Sequence, residues 1–170
     1  MRGVLALLFG TIVVLLLRST ALTAFAARGV VLDVLAFAVV IWALRHGAGW
    51  GSSFGFALGL FADLDASHWL GRHALVLTLL GYVVGRLADT LVREDPRTQL
   101  VLLFIATAIH QAWVVCFELG GLASWPYLMA RVAFAALATA PIGTLLLMIA
   151  RRASGRPLFG DVTVAPGKAL

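Results

Sequence analysis

The stretch from residue 47 to residue 86 constrains the fold of this chain more than any other. It consists of two short apolar segments on either side of a polar turn. Small residues recur in both segments at steps of three or four, which place them on one side of a helix. They are Gly47, Gly51, Gly55 and Gly59 in the first segment, and Gly71, Ala74, Thr78, Gly81, Gly85 and Ala88 in the second. Each segment is therefore predicted to be a helix with one nearly bare side.

Bare helix sides are typical of membranes, where small residues let two backbones approach closely enough for dispersion to hold them together. The composition agrees, because 62% of the residues are hydrophobic and 12% are charged, whereas a soluble domain has about 25% charged residues. The net charge of +5 is explained better by membrane topology than by nucleic acid binding. We therefore predict an all-α membrane protein, a compact bundle of about six transmembrane helices.

Six apolar runs, separated by polar or glycine-rich turns, define the predicted helices. They cover residues 3–17, 30–44, 50–64, 69–92, 98–117 and 127–150. The transmembrane domain is predicted to span 1–152, and 153–170 to form a flexible cytoplasmic tail with two prolines and little apolar periodicity. The N-terminus also resembles a cleavable signal peptide, but Arg18 interrupts its apolar run and more membrane helices follow.

The distribution of basic residues predicts the orientation of the bundle. Six helices place both termini on one side of the membrane. That side would carry Arg2, Arg45, Arg86, Arg93, Arg97, Arg151, Arg152, Arg156 and Lys168, and the other side Arg18, Arg28 and Arg72. Because loops rich in Arg and Lys stay in the cytoplasm, both termini are predicted to be cytoplasmic.

This topology gathers polar residues at the outer end of the bundle, which becomes the predicted functional surface. They are Asp33, Asp63, Asp65, His68, Arg72, His73 and Glu118. Two interpretations of Asp33 stay open: an acid at a helix start near the membrane surface, or a polar contact to a partner or ligand. His110 and Gln111 lie inside the fifth predicted helix, and His110 is expected to form a hydrogen bond between helices. Cys116 is expected to be buried.

No catalytic motif occurs in the sequence. The only lysine, Lys168, lies in the tail, so there is no phosphate-binding loop, and neither GxSxG nor HExxH is present. Four potential metal donors lie near one turn, but their spacing matches no known site; they are Asp63, Asp65, His68 and His73. We predict that the protein is not an enzyme, with no catalytic residue, metal or cofactor.

Several motifs together resemble one family. The pattern GxxxGFxxGLxxD is met by Gly51, Gly55, Phe56, Gly59, Leu60 and Asp63. LGxHAL follows at Leu70, Gly71, His73, Ala74 and Leu75, and GYxxGR at Gly81, Tyr82, Gly85 and Arg86. The second predicted helix opens with Asp33 and ends in Ala43, Leu44, Arg45 and Gly47. In these motifs the chain resembles the MreD family of rod shape-determining membrane proteins, although Leu32 stands where members often have proline.

The resemblance implies a non-enzymatic, multi-pass scaffold of the bacterial inner membrane. Its architecture would be similar to the S-components of energy-coupling-factor transporters. The implied partners are MreC, RodA and a class B penicillin-binding protein through the elongation complex, MreB directly or indirectly, and membrane lipid, without nucleic acid. The residues implied in partner binding or helix packing are Asp33, Gly51, Gly55, Gly59, Asp63, Gly71, Arg72, His73, Gly81, Tyr82 and Gly85.

Our hypothesis is that the glycine sides accept a partner's transmembrane helix, and that MreC docks on an outer rim marked by Asp33, Asp63, Arg72 and His73. Gly55→Leu or Gly59→Leu would then weaken assembly more than Leu58→Ala. The alternative function is vitamin capture for an energy-coupling-factor transporter. Against it, the outer loops are short and contain few residues suited to lining a ligand pocket.

Overall fold

The computed structural model describes residues 2–26, 32–66, 70–88, 95–118 and 125–153. They form five helices: α1 (Arg2–Ala26), α2 (Val34–Ala66), α3 (Arg72–Leu87), α4 (Pro96–Glu118) and α5 (Trp125–Ala153). The expectation of an all-helical protein is confirmed. The count of six helices is not confirmed, because α2 contains residues 34–44 of the second predicted helix together with the whole of the third.

Three segments of the described residues are long and apolar enough to cross a membrane. They are Val34–Leu64, Pro96–Phe117 and Met129–Ile149. Large apolar side chains are exposed on the outside of the helices, for example Phe9 in α1 and Phe134 in α5. In water such a surface would be unfavourable, whereas in a membrane these side chains contact lipid.

Gly47 breaks α2 into two arms, residues 34–46 and 48–66. Its φ of +79° and ψ of −176° belong to a region that is essentially restricted to glycine. The rings of Trp42 and Phe54, on either side of the break, stack with centroids 4.4 Å apart. In a straight helix these residues would be separated by about 18 Å. The chain therefore turns back at Gly47. This one residue makes the turn that the sequence predicts between the second and third helices.

The second arm of α2 packs against α3 with backbone touching backbone. A methyl group on Gly55 would overlap the carbonyl of Leu77, and one on Gly59 would overlap the backbone of Ala74. The same close approach involves Gly51, Gly81 and Gly85. The two bare sides expected from the sequence therefore cover each other within the chain. Our hypothesis requires these sides to be open for the helix of a partner, and in the structure they are covered.

The hydrophobic core lies between the arms of α2, α3 and α4. Its fully buried members include Val39, Phe54, Leu58, Leu77 and Leu103. Since Leu58 belongs to this core, Leu58→Ala would leave a cavity and is not a mild comparison for a glycine variant.

Other boundaries also differ from expectation. The first helix continues to Ala26, beyond the expected end at residue 17. The fourth predicted helix begins at Arg72, because Gly71 at its N-cap has a φ of +99°. The expected burial of Cys116 is wrong: its side chain is exposed. It lies on the outward side of α4, whereas the preceding Val115 is buried. The predicted tail lies outside the described residues apart from Ala153.

Candidate functional site

Six buried polar residues from four helices meet inside the bundle, and we call them the polar core cluster. They are Asp33, Asp63, His73, His110, Gln111 and Thr139, each at most 7% exposed. Asp33 directly precedes α2 and Asp63 lies near its end, while α3, α4 and α5 supply the others. Polar groups buried at this depth require hydrogen-bond partners, so their contacts define what the cluster does.

Asp33 caps α2 and ties it to two other helices. Its Oδ1 accepts the backbone N–H of Ala36 at 3.0 Å, the usual contact of an N-cap acid. Its Oδ2 accepts Nδ1–H of His110 at 2.6 Å and Nε2–H of Gln111 at 3.0 Å. Its own N–H donates to Oγ1 of Thr139 at 3.0 Å. Asp33 is thus a helix-start acid whose second oxygen bonds within the chain.

Asp63 caps α3 from a different helix. The N-cap residue Gly71 has no side chain to do this, and the N–H groups of Gly71, His73 and Ala74 donate to Asp63 at 2.9, 2.9 and 3.0 Å. Nδ1 of His73 is a fourth neighbour, 2.9 Å from Oδ1. The partial positive charge of a helix N-terminus favours a carboxylate here. Each carboxylate oxygen has two neighbours, which leaves Asp63 little capacity to bind a ligand.

The two histidines join these acids into one row. The rings of His73 and His110 meet edge to face, with centroids 5.7 Å apart and planes at 61°. The row therefore runs from Asp63 through His73 and His110 to Asp33. It crosses from the α2–α3 pair to α4, so the expectation that His110 forms an interhelical hydrogen bond is confirmed.

The eleven residues implied in partner binding or helix packing fall into a buried group and an exposed group. Nine are buried: the five glycines between α2 and α3, and Asp33, Asp63, Arg72 and His73. Only Gly71 and Tyr82 are exposed, Tyr82 by 49%. The four residues expected to form an outer rim are therefore inside the bundle. Contact between any of the eleven and a partner stays a prediction.

Part of the expected outer group falls where the structure gives no side-chain description. His68 is outside the described residues, and Asp65 and Glu118 lie in helices without described side chains. Arg72 is buried in the first turn of α3.

Sequence reasoning left three members of the polar core cluster out of the predicted site. The sequence does mark His110 and Gln111, because they are polar residues inside an apolar run. Nothing in the sequence indicates that both bond Asp33. The sequence does not mark Thr139. A threonine in a membrane helix commonly bonds a carbonyl of its own helix, as Thr144 does to Ala140 at 2.8 Å.

The geometry favours a structural role for the cluster. Its acids are held by backbone N–H groups, histidine rings and an amide. Within the described ranges, no group of three or more His, Cys, Asp or Glu residues is placed to hold a metal ion. The contacts join the start and the end of α2 to α3, α4 and α5, and they fix the relative positions of these helices.

The family comparison agrees with a membrane protein of this kind. The model of the family described as rod shape-determining protein MreD matches residues 1–148. No curated protein and no solved structure gives a significant match. The expected likeness to S-components is therefore not confirmed, and the family match gives no support to vitamin capture. Since the matched residues make up most of the chain, this protein belongs to the MreD family of rod shape-determining membrane proteins.

Proposed function

We propose that the protein is a non-enzymatic scaffold of the cell-elongation complex in the bacterial inner membrane. In this role it binds MreC and helps to control peptidoglycan synthesis and cell shape. It meets RodA and a class B penicillin-binding protein through the complex, and MreB directly or indirectly. The observation that carries the proposal is the family match over residues 1–148.

The packing supports a scaffold because it makes the bundle rigid. At Gly51, Gly55 and Gly59 the backbone of α2 touches the backbone of α3, so no side chain separates the two helices at these points. Charged side chains in a membrane cost about 2.5–3.5 kcal/mol each on insertion scales. Asp33 and Asp63 offset this cost through hydrogen bonds that hold helices in place. A surface on such a frame keeps its shape, which lowers the cost of ordering it when a partner binds.

Tyr82 is the proposed point of direct contact with MreC. Among the eleven singled-out residues it has the one large exposed side chain, at 49%. The buried residues would act indirectly, by fixing where α3 lies. Tyrosine suits such a contact, because it combines a large apolar ring with a hydroxyl group.

Purification from native membranes tests the proposed function. The tagged protein is extracted in mild detergent, and the co-eluting proteins are identified by mass spectrometry. We expect MreC, together with RodA and a penicillin-binding protein. A transmembrane coupling subunit with paired ATPases, or a tightly bound vitamin, would instead identify a transport protein.

The same purification tests Tyr82. Tyr82→Ala is expected to lower the yield of MreC severalfold, with the amount and melting temperature of the variant unchanged. The matched control is Leu79→Ala, because Leu79 lies one turn away on α3 and is 54% exposed. Equal MreC yields from both variants would show that Tyr82 makes no specific contact.

A further inference from the structure

Besides Nε1 of Trp113, three buried polar atoms on α4 have no hydrogen-bond partner in the described structure. They are Oγ1 of Thr107, Nε2 of His110 and Oε1 of Gln111. Their residues are 0%, 3% and 7% exposed. Steps of three and four residues place all three on one side of the helix. Buried polar groups without partners are rare, and ordered water commonly satisfies them.

The bonds to Asp33 determine what two of these atoms can do. A carboxylate only accepts hydrogen bonds, so His110 presents Nδ1–H to it and Gln111 presents its NH₂ group. In a neutral imidazole Nε2 is then an acceptor, and Oε1 of Gln111 is an acceptor as well. Both therefore need a donor from elsewhere.

Thr107 differs from other buried threonines in the bundle. Thr144 and Thr11 each bond a carbonyl one turn earlier in their own helix. The hydroxyl of Thr107 makes no such bond, so its O–H is available to donate to a group outside α4. This side of α4 thus presents two acceptors and one donor.

We propose that Thr107, His110 and Gln111 bind a buried water molecule. The water donates to Nε2 of His110 and Oε1 of Gln111, and it accepts from the hydroxyl of Thr107. Three hydrogen bonds are typical of a buried water.

The water also acts on the contact between helices. It bonds Nε2 of His110, while Nδ1 of the same ring bonds Asp33. The two bonds together fix the orientation of the ring between α2 and α4. A sodium ion fits less well, because hard cations prefer oxygen ligands and one of the three groups is a ring nitrogen. The site is thus a specific water site that supports the polar core cluster.

Thr107→Val tests the proposal, because valine keeps the shape of threonine without its hydroxyl. In a dry site this change removes an unsatisfied group, and the melting temperature in detergent would stay the same or rise. With water bound, we expect the melting temperature to fall by a few degrees and the ¹⁵N NMR signal of Nε2 of His110 to shift. A melting temperature that does not fall, together with an unshifted signal, overturns the proposal.

Two controls separate the loss of a water partner from general instability. Thr107→Ser keeps the hydroxyl and is expected to leave the His110 signal in place. Thr144→Val removes a hydroxyl that bonds within α5, and it too should leave this signal unmoved. A His110 shift in either control of the size seen for Thr107→Val would contradict the assignment.

The unaltered protein provides a test that does not depend on variant folding. In histidine-labelled protein in bilayers, Nε2 of His110 should show the signal of a hydrogen-bonded nitrogen and magnetisation exchange with water protons. The assignment comes from the signal lost in His110→Gln. The signal of a nitrogen without a hydrogen bond would overturn the proposal. So would a melting temperature that rises with Na⁺ but not with K⁺, which would indicate a cation.

Discussion

Asp63 shows how a membrane bundle can contain a buried carboxylate. The residue is fully buried, yet three backbone N–H groups and a histidine ring surround its two oxygens. The N–H groups are among those that a helix leaves unpaired at its N-terminus. Gly71 cannot cap them with a side chain, so an acid from α2 does. Each group thus satisfies the other, and the end of α2 is held against the start of α3.

Asp63→Asn tests this role at the scale of one residue. An amide replaces one acceptor oxygen with a donor that faces other donors, so the variant should lose about 1–3 kcal/mol of stability. Thermal unfolding in detergent measures the change. The control is Asp95→Asn, because Asp95 accepts the N–H of Arg97 at the start of α4 near the surface. Equal losses in the two variants would show that burial and the α3 contacts contribute nothing special.

At the scale of helices, the contact between α2 and α3 depends on missing side chains. At Gly55 and Gly59 an added methyl group would meet backbone atoms of α3, which cannot rotate away as a side chain can. Gly49 lies on the same arm of α2, and an added methyl group there would meet nothing within 4 Å. The arm therefore contains both a glycine that the packing requires and one that it does not.

Gly55→Ala and Gly49→Ala form a matched pair. Gly55→Ala forces two backbones apart and should destabilise the protein by about 1–3 kcal/mol, the usual cost of overpacking. Gly49→Ala lies in an open helical position and should be neutral or stabilise by about 0.5–1 kcal/mol. Melting temperatures and yields of folded protein measure both effects. Equal stability and equal yield of the two variants would contradict the close backbone contact between α2 and α3.

At the scale of the whole molecule, two helix pairs are joined through the polar core cluster. The second arm of α2 packs on α3, and α4 packs on α5. Asp33 and the two histidines connect the pairs. Among the described residues, α1 packs on α2 alone, with Gly3 and Gly10 lying against Trp50 and Trp42.

Labelling of introduced cysteines tests the orientation of this molecule. In a Cys116→Ala background, Leu70→Cys places a thiol at a position that is 74% exposed, just before α3. We expect a membrane-impermeant maleimide to label it in intact spheroplasts. Lys168→Cys, in the predicted cytoplasmic tail, should be labelled only after permeabilisation. The reverse pattern would contradict the topology inferred from the basic residues.

The sequence alone determined several properties of this protein because they follow from local chemistry. Apolar runs and low charge predicted helices in a membrane. Steps of three and four residues showed which sides of α2 and α3 lack side chains, since helical period translates spacing into direction. A histidine inside an apolar run predicted the interhelical bond of His110. None of these inferences requires knowing which residue of another helix packs against a given side chain.

Only the tertiary structure decided what each feature faces. The glycine sides of α2 and α3 meet each other instead of a partner, and Asp33 and Asp63 lie inside the bundle instead of on a rim. The N–H of Asp33 finds its acceptor in Thr139, 106 positions along the chain. Period and composition describe one helix at a time, whereas a hydrogen bond or a close backbone contact depends on two. Which two helices meet is determined by how the whole chain packs.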